Sequence, residues 1–156
     1  MAGFVAQVPA PATPEGLLVN DGFFPDIDID NLRAAVRLPG EITIERLSEA
    51  AVYAMDACNR ELSSYRTKSQ TAGYATLAEV PAASIGGESR LVMLYRRAVY
   101  STVKADLTER YRDVDTTATG NKRADDLDPG IDEQRRNARW AVRDILGLPH
   151  STVELI

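Results

Sequence analysis

Between Glu88 and Tyr111 the chain repeats apolar residues at helical spacing, and they cover almost the whole circumference of the predicted helix. These apolar positions are Leu91, Val92, Leu94, Tyr95, Ala98, Val99, Val103 and Leu107. A helix that is apolar on nearly every side must lie in the middle of a bundle or between subunits. This segment therefore predicts a fold in which other helices surround a central one.

An amphipathic helix precedes the central one. Thr43 stands at a favourable N-cap position ahead of a periodic stretch that reaches about Thr71. One stripe of this stretch is apolar and consists of Ile44, Leu47, Ala51, Met55, Cys58, Leu62 and Tyr65. Because the other side is charged, we expect this helix to pack on the core along one face.

Two further helices are predicted. A run of aspartates opens a short helix that ends at Pro39-Gly40, and Asp128-Pro129 opens a helix that reaches about Leu146. Residues 73–87 form a connection with room for one helical turn, and residues 112–127 form a long polar loop that is either functional or ordered by a partner. The chain shows neither strand alternation long enough for a sheet nor a two-residue hairpin signal.

These patterns predict an all-α fold, a bundle of about three to four main helices. Residues 1–22 are rich in proline and small residues without a sustained period, and they predict a flexible N-terminal arm. Residues 23–146 form the predicted bundle domain. Residues 147–156 form an extended C-terminal tail that has no obvious place on a small helical bundle.

Composition excludes several classes of protein. A chain of 156 residues with 44% hydrophobic and 26% charged residues is an ordinary single globular domain, and its apolar runs are too short to cross a membrane. The net charge of -5 argues against a surface built mainly to bind nucleic acid. With Cys58 as the single cysteine, an internal disulfide is impossible, which suits a reducing cytoplasm.

The residues needed for catalysis or metal binding do not form a motif. Asp26, Asp28 and Asp30 resemble the start of a calcium loop, but Asn31 and Arg37 stand where that loop needs glycine and glutamate, so the aspartates are expected to cap a helix. The single histidine lacks partners for a metal site or a nucleophile. The sequence thus predicts a protein that is not an enzyme and needs neither metal nor cofactor.

Two aromatic residues point away from the predicted core. On the last helix the inward stripe consists of Ile131, Ala138, Val142 and Ile145. Trp140 projects to the opposite side, and Tyr53 does the same on the first long helix. Either the long polar loop folds over Trp140, or the indole is an anchor for a neighbouring chain.

Basic residues form two ladders at helical spacing. One ladder on the central helix contains Arg90, Arg97 and Lys104, and the other, on the last helix, contains Arg135, Arg139 and Arg143. Each is either a solvated stripe or a line of charge that faces another subunit or a channel for DNA.

Several short motifs resemble one known family. They are Phe23-Phe24-Pro25-Asp26-Ile27-Asp28, Val80-Pro81-Ala82, Gly87-Glu88-Ser89, Glu109-Arg110-Tyr111-Arg112 and Arg139-Trp140-Ala141-Val142. In this order they resemble the phage head completion protein family of peduovirus-type temperate myophages. The resemblance runs from about Phe23 to Val142, does not cover the N-terminal arm and is looser in the last ten residues.

The resemblance implies a head-to-tail adaptor of the virion. Such a protein is assembled in the host bacterial cytoplasm, docks as a twelvefold ring beneath the portal protein after DNA packaging and retains the genome. It contacts neighbouring copies of itself, a stopper or tail-terminator protein, and the passing genomic DNA without sequence specificity, but no membrane. The alternative is a small helical assembly chaperone or regulator that binds one partner and is absent from the virion.

Three sets of residues follow as candidate sites. The tail expected to bind the portal, by adding an extended strand to an exposed edge, consists of Pro149, His150, Ser151, Thr152, Val153, Glu154, Leu155 and Ile156. Candidates for contacts between subunits are Phe23, Phe24, Tyr53, Arg136 and Trp140. Candidates for charge at the channel or an interface are Arg90, Arg97, Lys104, Lys122 and Arg123.

Overall fold

The computed structural model describes the backbone of residues 16–37, 42–114 and 118–150, and the side chains of these ranges except those of residues 111–114 and 118–129. Five helices lie within these ranges: α1 Ile29–Ala35, α2 Ile44–Glu61, α3 Ser63–Thr71, α4 Arg90–Val114 and α5 Ala118–Ile145. A short 3-10 turn, Leu77–Glu79, lies between α3 and α4. The prediction of a mostly helical protein is confirmed, although the helices are more numerous than expected.

Helix α4 is the centre of the fold. Helices α2 and α5 both pack against it, and all eight apolar positions that predicted a central helix are buried. Tyr95, Val99 and Val103 are fully shielded from solvent. The apolar residues on all sides of this segment therefore correctly predicted that it is the central helix of the bundle.

The periodic stretch after Thr43 forms two helices and not one. The Thr43 hydroxyl accepts a hydrogen bond from the Arg46 amide at 3.4 Å, which confirms the predicted cap. At Leu62 the backbone leaves helical geometry (φ -92°, ψ 7°), so that α2 ends and α3 begins. Leu62 itself is buried, because the break occurs on the face that packs against the core.

The expectation of a fold without strands is wrong in two places. Strand β1, Leu17–Leu18, pairs antiparallel with β2, Ile27–Asp28, and strand β3, Ser84–Ile85, pairs antiparallel with β4, Glu88–Ser89. The turn between β3 and β4 is Gly86-Gly87, whose φ angles of +61° and +84° suit a two-residue hairpin that favours glycine. Each strand has two residues, too few for the alternation that identifies a strand in a sequence.

Residues 16–22 belong to the folded unit, so the predicted boundary of the flexible arm is wrong. The Gly16 carbonyl accepts from the Ile29 amide at 2.9 Å, and the carboxylate of Asp21 pairs with Arg66 at 2.5 Å. Backbone pairing and side-chain hydrogen bonds fix this segment, and neither leaves a periodic signal. The remainder of the predicted arm, residues 1–15, lies outside the described residues.

A ring of hydrogen bonds joins the N-terminal segment to α2 and α4. All three bonds join side chains. Asn20 Nδ2 donates to the Tyr95 hydroxyl at 2.8 Å, and that hydroxyl donates to Asn59 Oδ1 at 2.6 Å. Asn59 Nδ2 then donates to Asn20 Oδ1 at 2.7 Å. Each group is satisfied by another, which is the condition for burying polar groups at low cost. The ring therefore fixes the segment on the central helix.

The predicted polar loop at residues 112–127 is helical over most of its length. Helix α4 continues to Val114 and α5 begins at Ala118, so the predicted start at Asp128-Pro129 lies inside α5. Helix propensity does not explain this result, because Asp, Thr, Gly and Asn make up most of the segment. Pro129 lacks an amide donor and is unfavourable inside a helix, yet α5 continues through it.

Candidate interaction surfaces

Trp140 lies half-buried on the outer side of α5. The imidazole of His150 stacks on the indole with a centroid distance of 4.8 Å and an interplanar angle of 2°. The guanidinium carbon of Arg136 lies 5.0 Å from the indole centre, a cation–π distance. Part of the indole is therefore covered by the start of the chain's own tail, an arrangement that the sequence did not suggest.

The start of the C-terminal tail is fixed on the last turns of α5. Gly147 ends the helix with φ +67°, and the Leu148 amide donates back to the Arg143 carbonyl at 2.9 Å. Beyond this point Arg143 Nε donates to the Pro149 carbonyl at 2.8 Å, and His150 Nε2 lies 2.8 Å from a carboxylate oxygen of Asp144. Pro149 and His150 are thus held beside Trp140, and the tail residues 151–156 lie outside the described residues.

A line of exposed side chains follows the outer side of α2. Glu45, Glu49, Val52 and Asp56 are spaced by four, three and four residues and form what we call the α2 outer strip. Val52 is 51% exposed, and Tyr53, beside the strip, is 61% exposed. The prediction that Tyr53 points away from the core is confirmed.

Helix α5 carries a second line with the same spacing. Asp132, Arg136, Arg139 and Arg143 form the α5 outer strip, and Trp140 lies beside it. Arg135 is turned away from this strip and pairs with Glu109 of α4 at 2.6 Å. That pair borders a cleft of about 300 Å³ between α2, α4 and α5, whose floor includes Cys58, Ala105 and Ala138.

The basic ladder of α4 faces α5 of the same chain. Arg90 lies 3.8 Å from the Asp144 carboxylate, and Arg97 donates to the Asn137 side chain at 3.3 Å. Lys104 is partly buried. Two of the three residues therefore contact the neighbouring helix, and the side chains of the other two charge candidates, Lys122 and Arg123, lie outside the described ones.

Phe23 and Phe24 are core residues, so their assignment to a subunit interface is wrong. Each is 2% exposed; their rings meet edge to face at 5.0 Å, and Phe24 stacks on Tyr95 at 4.8 Å. The Asp21 carboxylate accepts from both phenylalanine amides, at 3.1 and 3.0 Å, and this turn directs both rings inward. Such a turn is set by hydrogen bonds to the backbone, which the sequence motif alone does not reveal.

The described part of the chain offers neither a candidate metal site nor a helix that could span a membrane. It contains no cluster of three or more His, Cys, Asp or Glu side chains able to hold a metal ion. None of the helices in the described ranges combines the length and hydropathy that crossing a lipid bilayer requires.

Asp28, one of the aspartates that resembled a calcium loop, caps α1 as expected, because its carboxylate accepts from the Asn31 amide at 2.9 Å.

Burial makes the Cys58 thiol unreactive and couples its ionisation to folding. Burial, together with the negative charge of Glu61, raises the pKa of Cys58 from 9.0 to about 12. The folded chain therefore holds this proton more tightly than the unfolded chain, and the resulting stabilisation is complete below pH 9 and lost between pH 9 and 12.

We expect the free energy of unfolding to fall as pH rises above 9, with Cys58 contributing up to about 1.4 kcal/mol per pH unit. Buried tyrosines add to the decline, since burial also raises the pKa of Tyr95. Urea denaturation at several pH values, with Cys58→Ala as the matched variant, isolates the thiol. Equal slopes for the two chains would show that the thiol does not contribute.

Comparison with known families gives these surfaces their context. The family model described as phage head completion protein (GPL) matches residues 18–156. The chain belongs to this family.

Curated relatives agree with the assignment. The head completion/stabilization protein of Escherichia phage P2 is 45% identical over 149 residues, which cover 96% of this chain and 88% of that protein. The probable head completion/stabilization protein of Haemophilus phage HP1 (strain HP1c1) is 23% identical over 143 residues, covering 90% of this chain and 92% of that protein. No solved structure matches the chain at a significant level.

Family membership confirms the resemblance seen in the sequence motifs and extends it. The matched region begins at residue 18 and reaches residue 156, so it includes the Asn20 segment and the whole C-terminal tail. The chain is accordingly a phage head completion protein with a role in assembly of the virion head. This is a class of structural proteins and not a class of enzymes.

Proposed function

We propose that this head completion protein is the head-to-tail adaptor of its phage. In this proposal it docks as a twelvefold ring beneath the portal after packaging, retains the genome and gives the tail its platform, with a stopper or tail-terminator protein attached below. The observation that carries the proposal is that the C-terminal tail leaves the bundle beside Trp140, on a surface formed by α5.

The tail supplies the contact with the portal. Its last residues include Val153, Leu155 and Ile156, which favour an extended conformation and gain free energy from burial against another protein. Pro149 and His150 are held on α5, so the residues that follow start from a defined point. Starting from a defined point lowers the entropy lost when an extended strand joins the edge of a portal sheet.

A ring requires two different surfaces on each subunit, because a head-to-tail contact uses one surface on each side. The exposed Tyr53 region of α2 and the Trp140 region of α5 meet this requirement. Genomic DNA passes through the ring, and its phosphates require only general electrostatic compatibility. The ring belongs at the junction of head and tail and is assembled in the bacterial cytoplasm.

Deleting residues 151–156 tests the proposal. Since Pro149 and His150 keep their contacts with α5, the shortened chain is expected to retain its circular dichroism spectrum and its stability. We expect this chain to be missing from particles purified from an infection that supplies no full-length copy, and the particles to lose DNA and lack tails. A chain of full length in which Val153, Leu155 and Ile156 are serine is the matched control for length, and it should fail in the same way.

Imaging of the neck in particles with the full-length chain completes the test. A ring of density directly below the portal is the expected result. Attachment of the shortened chain at normal copy number would contradict portal binding by the tail. Absence of the full-length chain from finished virions would instead support an assembly chaperone.

A further inference from the structure

The two outer strips of the chain have the same geometry and opposite charge. The α2 outer strip is acidic, with Glu45, Glu49 and Asp56 around Val52, and all four side chains are exposed. Within the described ranges neither Glu45 nor Glu49 forms an ion pair, whereas Asp56 pairs with Arg60 at 3.1 Å. The centre of this strip is the apolar Val52, and neither of its two glutamates is paired with a basic side chain among the described residues.

The α5 outer strip is basic. Arg136 and Arg139 are exposed, and among the residues that the structure describes neither is paired with a carboxylate. Arg143 lies further along the same line, and Asp132 begins it. The indole of Trp140 borders the strip in the same way that Tyr53 borders the strip on α2.

Both strips cover the same length, about 16 Å at the 1.5 Å rise of an α-helix. No ion pair joins the two strips among the described residues, although Arg139 also lines the cleft between α2, α4 and α5. Each strip meets a complementary charge on another copy of the chain. This complementarity in spacing and charge is what points to a second copy as the partner of both strips.

We propose that neighbouring copies contact each other through the α2 outer strip of one copy and the α5 outer strip of the next, with the two helices antiparallel. The proposal rests on the proposed function in that it names the contact that builds the ring. The two surfaces differ, so the contact repeats from copy to copy and does not stop at a dimer.

The charges match equally well in both directions, and the antiparallel direction follows from the two aromatic residues. It places Glu45 opposite Arg143 and Glu49 opposite Arg139, and it brings Tyr53 and Trp140 to the same edge of the interface. The one pair of like charges, Asp56 opposite Asp132, has the Arg60 guanidinium beside it. In the parallel direction Glu49 would face Arg136, Asp56 would face Arg143 and Glu45 would face Asp132, but Tyr53 and Trp140 would lie at opposite edges of the interface.

Such a contact is weak between two free copies and sufficient in a closed ring. Exposed ion pairs contribute little individually and are screened by salt, so copies in solution have little reason to associate. On a portal that holds the tails side by side, the effective concentration of each strip for the next rises, and the same contacts close the ring.

Charge reversal at one opposed pair tests the contact. Glu49→Arg alone or Arg139→Glu alone should each reduce the number of copies per purified particle at least about tenfold, because like charges then meet at every interface. A chain that carries both substitutions restores the pair and should recover the copy number to within about twofold. Lys68→Glu, an exposed reversal on α3, is the control and should leave the copy number unchanged.

Cross-linking of assembled particles gives an independent readout. A chain with both Val52→Cys and Arg136→Cys, treated with a short bifunctional thiol reagent, should yield a ladder that continues beyond dimers, while each single substitution should yield none. Cys58 is buried and does not interfere.

The outcomes separate this contact from the adaptor role. Normal copy number in both single-reversal chains, or failure of the double reversal to rescue together with no ladder, would overturn the contact while leaving a virion adaptor in place. Absence of the unaltered chain from particles would overturn the proposed function and the contact with it.

Discussion

Replacing Phe24 with alanine is expected to lower the free energy of unfolding by about 3–5 kcal/mol, the usual cost of removing a buried aromatic ring. Phe24 is 2% exposed and stacks on Tyr95 of the central helix. Its loss leaves a cavity at the point where the N-terminal segment closes over α4. Since the whole unfolding free energy of a domain is about 5–15 kcal/mol, this one substitution removes a large share of it.

Urea denaturation followed by circular dichroism measures this effect. Val19→Ala is the matched control from the same segment, because Val19 is 74% exposed and its loss should change the stability by less than about 0.5 kcal/mol. A loss of less than about 1 kcal/mol for Phe24→Ala would show that the N-terminal segment does not form part of the core.

Trp140→Ala, unlike Phe24→Ala, is expected to leave the stability of the fold unchanged and to cause a large loss of assembly. The indole is only half-buried, so its removal leaves the core of α4 and α5 intact. It nevertheless borders the α5 outer strip and stacks on His150, from which the tail continues. Truncation of an aromatic anchor at an interface costs about 2 kcal/mol or more, which corresponds to roughly 30-fold weaker binding at each contact.

The yield of infectious particles and the copy number of the protein in them are the measurements for Trp140→Ala. Trp140→Phe keeps an aromatic surface for His150 and should retain most of the function. Normal infectivity of the alanine variant, at a normal copy number, would show that the indole serves neither the interface nor the tail.

The helical core was predictable from the sequence because burial and helical spacing coincide there. Val99, Val103 and the other apolar residues of α4 cover all sides of one helix. The Thr43 hydroxyl caps α2 by accepting a hydrogen bond from the Arg46 amide. The break at Leu62 was not predictable, since the residue continues the apolar stripe and only its backbone leaves the helix.

Contacts that depend on single hydrogen bonds escaped prediction. Asn20 and Asn59 are ordinary polar residues in the sequence, and their bond with Tyr95 joins positions that are far apart in the chain. The Gly86-Gly87 turn did carry a readable hairpin signal, because two adjacent glycines suit positive φ angles. Its strands were too short to draw attention to it.

The candidate surfaces were predictable in part. Tyr53 and Trp140 stand out because an aromatic residue on a polar helix face contradicts the core pattern, and the structure places both at the outside of their helices. Phe23 and Phe24 were assigned to an interface without such a contradiction, and they are buried. The stacking of His150 on Trp140 depends on how the chain turns after Gly147, which no helical pattern describes.

The stacked pair also gives the protein a built-in optical reporter. Trp140 is the single tryptophan of the chain, and its emission depends on the imidazole and guanidinium that lie against it. If docking of residues 151–156 shifts His150, the indole would exchange the imidazole for solvent or for another surface. A change in emission wavelength or intensity would therefore follow docking in real time, without any added label.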